Sequence, residues 1–163
     1  MPSFDQFHPI LTPNFTLDWL TQSPIKDIDK LFESPKSIKS AGFGTNPSTI
    51  LQTVKIVSTT MQKIMNQQEL SWGITATKSE KFIGQISIIN PKNPLKESTI
   101  EFILDKPSSL NEPLSRTVSF IKDHFETKKI IINLISENDQ LTAALLENNF
   151  QSRNNLSWLK YLE

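Results

Sequence analysis

The apolar positions of this chain first recur at helical spacing, then alternate strictly, then return to helical spacing. Asp27 to Phe32 reads as a short helix, with Ile28, Leu31 and Phe32 on one face. Ser23-Pro24 ahead of it suits a cap followed by proline at the first helical position. Ile50, Val54, Val57, Met61, Ile64 and Met65 follow the 3.6 period and predict a longer helix over Ser48 to Gln68, with Ser48 as its cap. The period then changes. Trp72, Ile74 and Ala76 alternate with Gly73, Thr75 and Thr77, which predicts a strand. Ser79-Glu80 reads as a hairpin turn into a second strand, Phe82 to Ile89. Thr99 to Leu104 is a third, with Ile100, Phe102 and Leu104 on one face and Glu101 on the other.

The second half alternates helix and strand. Leu114, Val118, Ile121 and Phe125 place a helix over Asn111 to Glu126. Lys129 to Ile135 is a nearly continuous apolar run, the pattern of a strand buried on both faces. Asn138 to Asn148 reads as a helix stopped by Asn148-Asn149, because asparagine tolerates the left-handed cap. Ser157 to Leu162 closes the chain as a strand. Glu33 to Ser48 carries Pro35, Pro47, Gly42 and Gly44 and reads as a loop. The Gly42-Phe43-Gly44 pair lacks the strand-to-helix spacing of a phosphate cradle. The order β-α-α-β-β-β-α-β-α-β predicts a mixed α/β (α+β) fold, with an antiparallel meander followed by helix-connected strands.

Length and charge narrow the function. At 163 residues the chain is expected to be one domain, 1-163, large enough to bury a core unaided. Lys plus Arg and Asp plus Glu both number 17. Nucleic-acid grip needs a cationic surplus, so no nucleic-acid partner is expected. Arg116 and Arg153 are the only arginines, which argues against arginine clusters for phosphate. The absence of cysteine removes disulfides, thiol nucleophiles and cysteine-ligated zinc, and fits a cytoplasmic protein. No basic, apolar leader opens the chain, and no run approaches 18 apolar residues, so no membrane partner is expected. His8 and His124 read as ordinary surface or half-buried residues, so no metal site is expected.

Several motifs in this order resemble the GNAT N-acetyltransferases, in particular the branch that acetylates ribosomal-protein N-termini and related amines. Trp72-Gly73-Ile74 followed by Phe82-Ile83-Gly84-Gln85-Ile86 is similar to that family's paired central strands. Thr99-Ile100-Glu101-Phe102-Ile103-Leu104 resembles the strand that carries the pantetheine arm. Asn138, twelve residues before Phe150, resembles the asparagine that opens a helix ending at Gly-Phe. Leu11-Thr12-Pro13, with Asp27, echoes the opening strand. The resemblance implies a mainly antiparallel sheet flanked by helices, acetyl-CoA as donor, an amine acceptor (small molecule, polyamine or protein N-terminus), and a homodimer as one assembly. It also implies that a splayed strand leaves backbone groups unpaired for the pantetheine amides to bond, as in strand addition. The diphosphate would then sit at the following helix N-terminus.

The chain also departs from the family pattern. The family's Q/R-x-x-G-x-G/A loop falls on Ser109-Leu110-Asn111-Glu112-Pro113-Leu114. Glu112 replaces the central glycine, Leu114 replaces the second small residue, and Pro113 has no N–H. A carboxylate repels a diphosphate, and side chains obstruct close backbone approach. Ser108 to Pro113 also reads as a plain helix start. Leu141 and Leu145 stand where the family has its serine or tyrosine acid, and Tyr161, on the last strand, reads as a half-buried strand residue. Glu101 is the candidate base, with an exposed strand carboxylate as the alternative. The resemblance assigns cofactor contacts to the backbone of Phe102, Ile103 and Leu104, to Asn111, Ser115 and Arg116, and to Asn138, which equally suits a helix N-cap. Two functions follow: an acetyl-CoA-dependent N-acetyltransferase, or a non-catalytic binding or regulatory module on the same fold that has lost the diphosphate site. An acyltransferase using another donor is a third.

Overall fold

The computed structural model describes residues 4–43 and 46–163. Gly44, one of the loop glycines singled out above, lies outside the described residues. Among the described residues the strands form one nine-stranded sheet. Its strands are β1 (Ile10–Leu11), β2 (Phe15–Asp18), β3 (Ile38–Lys39), β4 (Glu69–Ala76), β5 (Phe82–Ile89), β6 (Glu97–Leu104), β7 (Lys129–Asn133), β8 (Gln151–Asn154) and β9 (Ser157–Tyr161). Four α-helices flank them: α1 (Ile25–Glu33), α2 (Ile50–Met65), α3 (Asn111–His124) and α4 (Asp139–Glu147). The sheet runs β1-β2-β4-β5-β6-β7-β9-β8, with β3 added to β6 off this path. Every pairing is antiparallel except β6 with β7.

The helices form where the periodicity places them, with shifts at the ends. Thr49, not Ser48, caps α2: its hydroxyl accepts the Gln52 N–H at 3.3 Å, while the Ser48 N–H bonds the Gln52 side chain at 2.6 Å. Pro24 takes the cap position of α1. Asn138 caps α4, its Oδ1 accepting the N–H groups of Gln140 and Leu141 at 3.0 Å each. Asn149 stops α4 in the left-handed region at φ 65°.

Strand alternation sorts the central residues onto two faces. Leu70, Trp72, Ile86, Ile88, Ile100 and Phe102 enter a large core with Leu114, Val118 and Ile121 of α3 and Leu141 and Leu145 of α4. Ile103 and Phe82 join a smaller cluster with Ile28 and Phe32 of α1 and Val57 of α2. Gly84 lets β5 approach β6 closely: a Cβ there would lie 2.4 Å from the Ile103 carbonyl oxygen. The opening strand echoed by Leu11-Thr12-Pro13 forms over Ile10–Leu11 and ends before Thr12. Three short strands were not visible in the pattern: β2, β3 of two residues, and β8, which is polar and exposed throughout. β4 also begins earlier than Trp72, at Glu69.

Candidate active site

β6 organises the site. One edge pairs with β5 from Thr99 to Leu104. The other edge pairs with β7 only over Glu97 to Thr99, after which the two parallel strands diverge. Divergence would strand the backbone groups of Phe102 and Leu104, and buried N–H and C=O groups need partners. The chain supplies them itself. β3 enters the wedge with Ile38 opposite Leu104 and Lys39 opposite Ile103. The Ser40 N–H donates to the Phe102 carbonyl at 2.9 Å, and the Phe102 N–H donates to Ser40 Oγ at 2.9 Å. On the far side the Ala41 N–H donates to the Asn133 carbonyl at 2.9 Å, and Ser40 bridges Leu134. The segment 38–41 therefore spans the splay from β6 to β7.

Glu101 projects from β6 to the opposite face from Phe102, into a cavity of about 530 Å3 on the α1–α2 side. Phe32, Phe43, Ile56 and Ile103 give this cavity apolar walls, and Glu69, Gln85 and Ser87 line it with Glu101. Ser71, Ser87 and Glu101 stand in register across β4, β5 and β6. Gly42, at φ 107°, lies against the Glu101 carboxylate, and a Cβ there would come within 1.9 Å of Oε2. Burial raises the Glu101 carboxyl above its ordinary range, the Glu69 charge raises it further, and Lys63 opposes both.

The start of α3 is built differently from a phosphate cradle. Leu110 and Leu114 are fully buried core residues. Glu112 turns to the β1–β2 connection, where it accepts hydrogen bonds from the Thr12 hydroxyl and from the Asn14 backbone N–H and side-chain amide, the last two at 2.8 Å. Burial pushes its carboxyl up, but these three bonds outweigh burial and hold it below the usual range. Asn111 Oδ1 accepts from Asn148 Nδ2 at 2.8 Å, tying α3 to the end of α4. Ser109 Oγ donates to Asp105 at 2.8 Å. Ser115 is exposed, and Arg116 is half-buried with no ion-pair partner among the described residues.

The structure thus places Phe102, Ile103, Leu104 and Glu101 at the splay, and Asn111, Ser115 and Arg116 at the α3 N-terminus. Asn138 spends its side-chain oxygen on the α4 cap. The edge that would bond pantetheine is paired to β3, and the helix start has no glycine. Glu69, Ser71, Gln85 and Ser87 were missed by sequence reasoning. Their signal was present: on β5, Gln85 and Ser87 are polar positions set between Gly84, Ile86 and Ile88.

The fold is GNAT-like. No family model matches the chain, and no curated protein is similar to it in sequence. Solved structures match over nearly its whole length. One is assigned as a ribosomal-protein-serine acetyltransferase from Vibrio cholerae: TM-score 0.79, 10% identity, 99% of this chain and 100% of that one covered. Another is a ribosomal-protein-S5-alanine acetyltransferase from Vibrio fischeri: TM-score 0.72, 13% identity, 94% and 96% covered. A third is the microcin C7 self-immunity acetyltransferase MccE, in complex with acetyl-CoA and AMP: TM-score 0.72, 16% identity, 93% and 94% covered. At these identities the likeness is one of fold. Among the described residues no helix is long and apolar enough to cross a membrane.

Proposed function

We propose that this chain is an acetyl-CoA-dependent N-acetyltransferase acting on a primary amine, and that β3 closes its donor edge in the conformation described. The observation that carries the reading is Glu101. Its carboxylate sits beside the splay and faces a cavity large enough for an organic amine, and burial raises its proton affinity, the direction that favours a general base. The GNAT-like fold around it supports the donor. Acetyl-CoA, when bound, supplies a thioester carbonyl for an amine to attack. The chain's own contribution is to hold the amine at Glu101 and to accept a proton at a Glu101 oxygen. The residues assigned to the donor are the β6 backbone from Phe102 to Leu104, with Asn111, Ser115, Arg116 and Asn138 around the diphosphate. Of these, Arg116 is the charged group, and it has no ion pair among the described residues.

One observation favours a second reading, a non-catalytic module on the same fold. β3 takes the backbone groups that a pantetheine arm would need, and the α3 start spends its polar side chains on internal bonds. Calorimetric titration with acetyl-CoA, and with CoA beside it, separates the two. Micromolar binding supports the enzyme and opens a screen of amine acceptors. No heat and no thermal shift at millimolar ligand rejects it in favour of the module.

A further inference from the structure

Charge is distributed unevenly along this chain. Acidic and basic residues both number 17, yet Ser34 to Gln68 contains no Asp or Glu, while Lys36, Lys39, Lys55 and Lys63 fall within it. That segment carries β3 and α2, and it builds one side of the cavity that Glu101 faces. The sheet builds the other side and supplies both of the cavity's carboxylates, Glu69 from β4 and Glu101 from β6. Lys39, Lys55 and Lys63 line the cavity against these two. With both glutamates ionised, the lining still carries a positive surplus.

The surplus is at the rim. Glu69 is buried at the floor, and Lys63 Nζ lies 3.6 Å from its carboxylate, so that lysine is spent on an internal pair. Lys55, Thr59 and Lys63 share one face of α2 at a spacing of four, which puts Lys55 two turns from Lys63, about 12 Å along the axis. Lys55 is exposed and has no ion pair among the described residues. Lys39, half-buried on β3, donates from Nζ to Asn46 Oδ1 at 2.8 Å. A neutral acceptor holds that ammonium in place without cancelling its charge. Phe32, Phe43, Ile56 and Ile103 line the same cavity with apolar surface. A ligand with a positive charge at each end would bring like charge to the rim. A ligand with an anionic end is matched there.

We infer that the rim of this cavity is an anion subsite, where Lys55 and Lys39 bind a carboxylate or phosphate group carried by the ligand. Lys55 is then a specificity-determining residue. It favours amphoteric compounds, with an acidic group at one end, over polyamines and over neutral isosteres. This narrows the acceptor of the function proposed above to acidic amines, and it rests on that reading only for the transfer step. Binding of the anionic group does not need a donor.

The test uses the whole chain without acetyl-CoA. Three ligands that share a ring and an aminomethyl group are titrated calorimetrically: para-aminomethylbenzoate, the phosphonate in its place, and the neutral para-aminomethylbenzamide. At least one anion is expected to bind about fivefold more tightly than the benzamide, the scale of an exposed ion pair, and the tighter of the two names the group. The preference should shrink as salt is raised. Lys55 is exposed, so its replacement leaves the fold intact. Lys55→Gln should cut the preference to about twofold, Lys55→Arg should keep it, and Lys55→Glu should abolish it, with benzamide binding unchanged throughout. Equal binding of all three ligands to the parent chain overturns the inference, as does no binding at millimolar concentration. A preference that survives Lys55→Glu, or spermidine binding more tightly than both anions, overturns it too. If acetyl-CoA fails to bind while an anion shows the preference, the transferase reading falls and this subsite stands. If acetyl-CoA binds and the preference is absent, this subsite alone falls.

Discussion

Ser40 and Phe102 share three hydrogen bonds: the Ser40 N–H donates to the Phe102 carbonyl and the Phe102 N–H to the Ser40 hydroxyl, both at 2.9 Å, and that hydroxyl donates to the same carbonyl at 3.5 Å. Ser40 is fully buried, so none of them is shared with water. This pair closes the one place on β6 where a strand-like ligand could add. A donor that uses β6 must displace it.

Ser40→Ala removes the two bonds made by the hydroxyl and leaves the Phe102 N–H buried and unmatched. The expected cost is about 1–3 kcal/mol, read from denaturant unfolding. Ser40→Pro also removes the N–H and should cost more. If β3 is the barrier to donor binding, both variants bind acetyl-CoA more tightly than the parent chain when titrated while folded. Variants that are folded, destabilised and no better at binding would show that β3 is not the barrier.

Glu101→Gln should lower the rate of amine acetylation by about 10²–10⁴, the range of a lost general base. Its effect on stability should run the other way. Burial and the Glu69 charge raise the folded-state proton affinity of Glu101, so the native chain binds this proton more tightly than the unfolded one. Ionising Glu101 therefore costs stability as pH rises from the ordinary carboxylate range through its raised value. Thermal unfolding of Glu101→Gln at neutral pH should occur at the parent temperature or above it, with a flatter dependence between acid and neutral pH. A clear fall in stability at neutral pH would mean the carboxylate makes a favourable contact instead.

Glu112 has the opposite sign. Its carboxyl is held below the ordinary range by Thr12 and Asn14 in spite of burial. The stability it contributes is present above the ordinary carboxylate pKa and is lost as pH falls through the depressed value. Glu112→Gln should remove that acid-side loss, which a pH series of melts in both proteins would read.

Replacing Glu112 by Gly and Leu114 by Ala looks, from the sequence, like the repair of a damaged phosphate loop. The structure gives it another outcome. Leu114 is fully buried in the main core, so Leu114→Ala alone should cost about 2–5 kcal/mol in denaturant unfolding. Acetyl-CoA affinity should not rise in the double variant, because neither residue fills a space above the α3 N-terminus. A tighter titration than the parent's would restore the damaged-loop view.

Asn138→Ala separates a cap from a ligand contact. Losing the two bonds to Gln140 and Leu141 should cost about 0.5–2 kcal/mol. Asn138→Asp, which keeps the cap, should restore stability. Any change in acetyl-CoA affinity that persists in Asn138→Asp reports a contact beyond capping.

The main helices and long strands were legible because each buries one face, and burial writes a period into the chain. Trp72, Ile86, Phe102 and Leu114 all lie in the core that the spacing placed around them. β3 and β8 were not legible for different reasons. Ile38 and Lys39 form a strand only because β6 and β7 diverge beside them, a condition no local pattern encodes. β8 is paired on the exposed margin of the sheet and needs no apolar alternation. At the site, Glu101 was visible as a lone carboxylate between apolar neighbours. Gln85 was visible only as a polar residue on a strand, since its bond to Ser87 depends on pairing within the sheet. The resemblance set Glu112 at the central glycine of a phosphate loop, whereas the β1–β2 connection, about a hundred residues away, holds it.

Amide hydrogen exchange with and without saturating acetyl-CoA tests the account most directly. The account predicts that the Ser40 and Ala41 amides lose protection on adding acetyl-CoA, while Phe102 and Leu104 keep theirs as the donor takes over the β6 edge. Unchanged protection at Ser40 and Ala41 in millimolar acetyl-CoA would contradict it.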